Sequence, residues 1–355
     1  MIQLKKELFD QLDGSVEGIR NALQNAIELE HATIPVYLYG LYSLQPGTNQ
    51  EVAGIIRSVV IEEMLHMSIA CNLLNAVGGT PVIDSPTFVP QYPGPLPGGV
   101  DSSLAVSLAP LSINQVQQVF MGIEEPERPI NFGGPLEMLE DVPQPSELDD
   151  APQYSTIGIF YQTISGQLKP EFFTGDVSRQ VVADWWPKAE LFAITNIDQA
   201  RQAIEIVVEQ GEGAGPNPFD EEGDVSHYYR FAEIVHGRTL IKNPYYRPGY
   251  PLAFQYIYSG GYVPFDPGQV QPLMINPGLK PWPAGSGAQI PSDAFNATYT
   301  NLLRSLHAVF NGQPEGLRSA IGIMESLKEQ AIALTSIKID ATTYAGPTFQ
   351  YNPVS

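Results

Sequence analysis

The 28 residues from Gln50 to Val77 most restrict what this chain can become. Their apolar positions recur in steps of four and three: Val52, Ile56 and Val59, then Ala70, Leu73 and Val77. That spacing is one face of a long α-helix turned toward a core. Glu63 and His66 fall in the same register. A carboxylate and an imidazole one turn apart on a buried face are costly unless something offsets their desolvation. A metal ion would do so. A hydrogen-bonded core pair is the metal-free alternative.

The preceding stretch, 15–44, reads as the partner helix. Val16, Leu23, Glu30, Tyr37 and Leu44 recur at sevens, with Ile27, Ile34 and Leu41 as a second row. Glu30 interrupts this apolar line as Glu63 interrupts the other, whereas Glu28 points elsewhere. The loop between the helices is short, so they must be antiparallel neighbours. Glu30 lies about 13 residues before that loop and Glu63 about 13 after it, which sets the two carboxylates at one depth. A Glu-x-x-His facing into a bundle beside further glutamates is an arrangement of di-iron carboxylate centres. Pro35 cannot donate to the His31 carbonyl, and a kink or bulge is expected there.

Two more helices with acidic or imidazole groups are expected at 197–212 and 226–240. The first carries Glu205, Glu209 and Glu212, for which a solvated acidic face is an equal reading. The second offers either His227, on the side of Phe231 and Ile234, or the pair Glu233 and His236. The repeated Glu-x-x-His favours Glu233 and His236, while periodicity favours His227. Glu212 and His227 would meet across the 213–225 loop.

Between these halves lies a long insertion, 78–190, rich in Pro and Gly at its start. Within it a short strand at 103–109 and a helix at 112–123 are expected, with Ser112 and Gln115 spaced as a capping box. A second helix begins near Ser155, and Trp185 and Trp186 read as core or interface anchors. An aromatic Pro/Gly tract at 243–292 reads as ordered coil packed on helices. Helices 293–310 and 314–337 close the chain as a structural hairpin. A single unit spanning 1–355 is expected, a mainly α four-helix bundle with long Pro/Gly-rich insertions and a C-terminal helical hairpin.

Eighteen Lys and Arg against 39 Asp and Glu give a formal charge of -21, which disfavours nucleic acid and anionic membranes as partners. The single cysteine, Cys71, excludes an intramolecular disulfide. With no apolar leader at the N-terminus and no 18-residue apolar run, a cytoplasmic location and no membrane partner are expected. Carboxylates and imidazoles without a thiolate suit iron or manganese, as one or two ions. Such ions could use dioxygen or peroxide to oxidise a small molecule.

ELEHATIPVYLYGLYSL together with IEEMLHMSIACNLLNAVGG resembles the opening helix pair of ferritin-like proteins. The step of seven from Glu30 to Tyr37 and the pair Glu62–Glu63 before His66 carry this likeness. More narrowly, YPGPLPGGV, TIGIFY, EQGEG, SHYYRF and YAGPTFQY resemble the iminophenyl-pyruvate dimer synthase family, the ferritin-like proteins of bisindole biosynthesis. The resemblance implies a ferritin-like fold and a dimetal centre with Glu30, Glu63 and His66 as ligands. For the second half it leaves Glu212, His227, Glu233 and His236 open. It implies an oxidoreductase acting on a small aromatic imino or keto acid. A ferroxidase or iron-binding protein and a metal-free scaffold are the alternatives. A small-molecule substrate and a homodimer are the expected partners.

Overall fold

A computed structural model describes residues 4–98, 105–127, 129, 130, 132, 156–183, 190–213, 217–220, 222–247 and 252–352. After the short α1 (Lys6–Asp10), two long helices dominate: α2 (Val16–Tyr42) and α3 (Gln50–Ala76). Ser15 starts α2 by accepting a hydrogen bond from the Gly18 amide at 3.0 Å, which satisfies one of the free donors of the first turn. Gly47 and Asn49, at φ 80° and 47°, make the reversal that returns α3 antiparallel along α2. Ile19, Leu23 and Ile27 from α2 and Val52, Ile56 and Val59 from α3 are fully buried. Each such side chain contributes about 1.5–3 kcal/mol by leaving water. That apolar zip sets the register of the pair. It carries Glu30, Glu63 and His66 into the interior with it.

The inserted segment adds α4 (Ile113–Gln115) and α5 (Met121–Glu124), joined by a π-helical turn, Val116–Phe120. Ser112 caps the start, accepting from the Gln115 amide at 3.0 Å. The Gln115 side chain donates to the Ser107 carbonyl, so only half of a capping box forms. Helix α6 (Ile157–Gln167), capped by Thr156, packs on α2. Helix α7 (Ile197–Glu212), capped by Asn196, packs on α3 and α6. Helix α8 (His227–His236) packs on α3, α5 and α7.

Several expectations from sequence shift in detail. Helix α2 stays helical through Pro35, and the π turn lies instead at 116–120. Helix α8 stops at His236 because Gly237 turns left-handed at φ 66°, and 238–240 leave as strand β1 (Arg238–Lys242). Its antiparallel partner β2 (Tyr256–Tyr262) lies inside the tract read as coil. Val106 makes only an isolated bridge to Gly94, not a strand over 105–109. The final hairpin is α9 (Gln289–Phe310) and α10 (Leu317–Leu334). Trp185 and Trp186 lie outside the described residues. Among the described residues no helix is long and apolar enough to cross a membrane.

Candidate metal centre

Four helices deliver carboxylate and imidazole groups to one buried point. Glu30 comes from α2, Glu63 and His66 from α3, Glu124 from the end of α5 and His227 from the first turn of α8. His227 Nδ1 is 2.8 Å from Glu63 Oε1 and 3.5 Å from Glu124 Oε2. His66 Nδ1 is 3.7 Å from Glu30 Oε2 and 3.8 Å from Glu63 Oε1. The two imidazoles stack at 5.3 Å between ring centres. One ligand atom each from Glu63, His66 and His227 lies within 4.8 Å of the others. Two donors about 2.1 Å from one ion and 90–110° apart stand about 3.0–3.4 Å from each other. The separations around His227 already bracket that range, and those around His66 are a few tenths of an ångström wider.

The other nitrogen of each ring is committed. Gln210 Nε2 donates to Glu190 Oε1 at 2.8 Å, so its Oε1 is free to accept. His66 Nε2, 2.9 Å from that oxygen, must therefore donate. His227 Nε2 lies 2.9 Å from Glu62 Oε2, a carboxylate that only accepts, and it must donate as well. Glu62 is held in turn by Arg230 at 2.8 Å. Each neutral ring would thus turn a bare Nδ1 lone pair toward carboxylate oxygens. His227 Nδ1 touches two carboxylates yet makes no hydrogen bond to either. Lone pairs facing carboxylates at this distance repel unless a cation lies between them, and outer acceptors on Nε2–H are the usual support of a metal-bound histidine. The donor set fits a metal ion.

Without a metal the same crowding is relieved by protons. Burial, reinforced by the charges of Glu124 and Glu30, pushes the Glu63 carboxyl up to about 7, although His227 opposes the shift. Burial disfavours a charged His227, but the surrounding carboxylates of Glu124, Glu62 and Glu63 outweigh it and hold the ring well above its usual value. His66 is raised for a similar reason: burial acts against it, and the Glu30 and Glu63 carboxylates prevail. Glu62 falls to about 2, since His227 and Arg230 overcome the cost of its burial. The carboxylates carry their own supports. Tyr161 donates to Glu30 Oε1 at 2.7 Å, Tyr37 donates to Glu124, and the Thr33 hydroxyl lies 2.8 Å from Glu63 Oε2.

Glu30, Thr33, Glu63, His66, Glu124 and Tyr161 line a cavity of about 30 Å³, room for one or two waters or a molecule of that size. Ile123, Val207 and Val208 make its apolar wall, and Ile157, Val208, Gly211 and Glu212 are the lining residues that reach solvent. Glu212 accepts from the Gly158 amide at 2.9 Å at the N-terminus of α6. A Cβ on Gly158 would stand 2.5 Å from the Glu212 carboxyl, so glycine is what permits the contact. Burial, opposed by Gly158 and Thr156, raises Glu212 to about 7.

Of the residues singled out from sequence, Glu30, Glu63, His66 and His227 converge, and Glu212 lines the same cavity. Glu233 and His236 do not. Glu233 accepts from the Leu240 amide at 2.8 Å, and the His236 ring stacks on Tyr258 of β2 at 4.1 Å. In a helix of ten residues the two sit in the last turn, on the side that meets the hairpin. Glu205 is exposed. Tyr39 donates to the Met274 carbonyl, away from the cluster. Sequence reasoning missed Glu124, which it placed just past the end of a helix. The row Val116, Phe120, Glu124, in steps of four, is the signal that was there to read. Tyr161, Gln210, Glu190 and Arg230 had no sequence signal, because their partners lie on other helices.

The Ferritin-like family profile matches residues 23–236, the span from α2 through α8 that holds every group of the centre. Dichlorochromopyrrolate synthase of Lentzea aerocolonigenes is 25% identical over 390 aligned positions, covering 93% of this chain and 35% of that protein. The chain therefore spans about a third of the length of this curated relative. The crystal structure of a ferritin-like protein from Caulobacter vibrioides superposes with a TM-score of 0.59 at 23% identity. It covers 92% of this chain and 96% of its own, and it shares the fold. With the profile extending over most of its length, the chain belongs to the ferritin-like family.

Proposed function

We propose that this protein is a non-haem dimetal carboxylate oxidoreductase, with iron or manganese held by Glu30, Glu63, His66, Glu124 and His227. The observation that carries the reading is the pair of histidine Nδ1 atoms turned toward carboxylates, with Glu63 common to both, while both Nε2 atoms are occupied. Glu63 stands between the two histidines, with Glu30 beside His66 and Glu124 beside His227, and these five residues would hold the ions. Oxygen and nitrogen donors suit iron and manganese. When bound, the ions would supply oxidising chemistry, with dioxygen or peroxide as the electron acceptor.

The protein's own groups prepare that chemistry. Tyr161 and Tyr37 keep Glu30 and Glu124 turned inward, and Thr33 does the same for Glu63. Ile123, Val207 and Val208 limit water to what the small cavity admits. An organic substrate would meet the centre from the side of Ile157, Gly211 and Glu212, where the lining reaches solvent. The named relative makes dichlorochromopyrrolate, which supports an aromatic imino or keto acid as the substrate class here. Reconstitution with iron or manganese, followed by dioxygen uptake in the presence of an aromatic keto acid and ammonia, tests the reading. Substrate-dependent uptake that disappears in His227→Ala is expected.

A second reading, a ferroxidase, draws on the size of the cavity, since about 30 Å³ admits a small oxidant more readily than an aromatic ring. Dioxygen uptake that follows added ferrous iron and ignores every organic acid would favour it.

A further inference from the structure

The two histidines are supported differently. Behind His227 Nε2 stands an anionic acceptor, Glu62, held at 2.8 Å by Arg230, which also bonds Ser58 Oγ at 3.1 Å and the Val225 carbonyl at 2.8 Å. Behind His66 Nε2 stands a neutral amide, Gln210, and the carboxylate of Glu190 is one residue further out. An anionic acceptor draws the Nε2 proton and makes Nδ1 a stronger donor than an amide does. Ligand spacing favours the same side, at 2.8 and 3.5 Å from His227 Nδ1 against 3.7 and 3.8 Å from His66 Nδ1.

We infer that the centre fills in order, the His227 half before the His66 half, and that Glu62 is the positioning residue that sets this order. The inference rests on the dimetal reading above. Glu62 reaches no position from which to ligate through its bonded oxygens: one is taken by His227 and the other by Arg230. Its effect passes through the imidazole.

Cobalt(II) is the probe, titrated into chelator-stripped protein and followed by calorimetry and visible absorption. Wild type should take two equivalents in two steps separated by at least about tenfold in Kd. Glu62→Gln keeps the shape of a partly exposed side chain and should weaken the first step by about 10–100-fold, the usual effect of removing such a support. It should leave the second step within about twofold. The double exchange Gln210→Glu with Glu190→Gln keeps the hydrogen bond between these two residues and moves the carboxylate next to His66. It should tighten the second step by about tenfold, a gain that mere structural damage would not produce. His66→Ala should retain the first equivalent and His227→Ala should lose it. A wild type that binds two cobalt ions in one unresolved step overturns the inference and leaves the dimetal reading standing. So does a double exchange that leaves the two steps as far apart as before. A wild type that binds no cobalt removes both.

Discussion

Replacing Glu212 by glutamine should stabilise the metal-free protein at pH 8 and leave it nearly unchanged at pH 4.5. In the folded chain the Glu212 carboxyl titrates near 7 because burial penalises its charge, with Glu124 and Glu127 adding repulsion, against 4.5 for an unperturbed glutamate. A carboxyl whose folded pKa is raised keeps its proton where the unfolded chain gives one up. Its stabilising contribution is complete below about 4.5 and is lost as pH rises from 4.5 through 7. Each pH unit of that gap is worth about 1.4 kcal/mol, so wild type should sacrifice up to about 3 kcal/mol above pH 7. Contact with solvent at the rim reduces the figure, since Glu212 is only part-buried. Glutamine keeps an acceptor for the Gly158 amide and never ionises. Glu63, His66 and His227 push stability in the same direction with pH, but they do so equally in both proteins, and the difference isolates Glu212. Urea unfolding of chelator-stripped protein at pH 4.5, 6, 7 and 8, read by far-UV circular dichroism, measures it. A glutamine effect that is the same at pH 4.5 and pH 8, or a less stable variant at pH 8, would refute the reasoning.

Other consequences can be checked in the same preparations. Metal must displace protons from His66, His227 and Glu63, so affinity should fall as pH drops from 8 to 6, with proton release visible as a buffer-dependent calorimetric heat; retention that is flat over this range counts against the ligand set. His236→Ala should keep its full metal complement by ICP-MS while His227→Ala loses metal, and the reverse would return Glu233 and His236 to the site. Tyr161→Phe removes the bond to Glu30 and should weaken metal binding by about tenfold without unfolding the chain, as expected for a charge-assisted bond of about 1.5–3 kcal/mol. Gly158→Ala drives a Cβ to 2.5 Å from the Glu212 carboxyl and should cost about 1–3 kcal/mol in urea unfolding, a loss that Glu212→Ala in the same chain should largely restore.

What was legible in the sequence depended on distance along the chain. The α2–α3 pair could be read because a periodic apolar pattern runs along each 27-residue helix and is interrupted near its middle by Glu30, Glu63 and His66. A buried polar residue on such a line has few explanations, and the short loop fixed the relative depth. The second half gave conflicting signals. Its motif pointed to Glu233 and His236, its periodicity to His227, and the structure follows periodicity because a ten-residue helix ended by Gly237 aims its last turn at a hairpin. The pull of the motif was strong because β2 could not be seen inside a Pro- and Tyr-rich tract. Glu124 was hidden for a different reason: it is the last residue of its helix, where the row Val116, Phe120, Glu124 runs into an acidic loop and a carboxylate reads as solvated. The outer groups, Gln210 with Glu190 and Arg230 with Glu62, are pairings between helices or across turns that no local pattern encodes.

The central claim is that Glu63 sits between two metal ions, each bound by the Nδ1 of one histidine. Anomalous scattering from crystals grown with iron or manganese, collected on either side of the metal edge, tests it most directly. Two peaks are predicted at the buried point where α2, α3, α5 and α8 bring their carboxylates and imidazoles together, one about 2.0–2.2 Å from His66 Nδ1 and one at that distance from His227 Nδ1. A cavity without an anomalous peak, or a metal bound at Glu233 and His236, would contradict it.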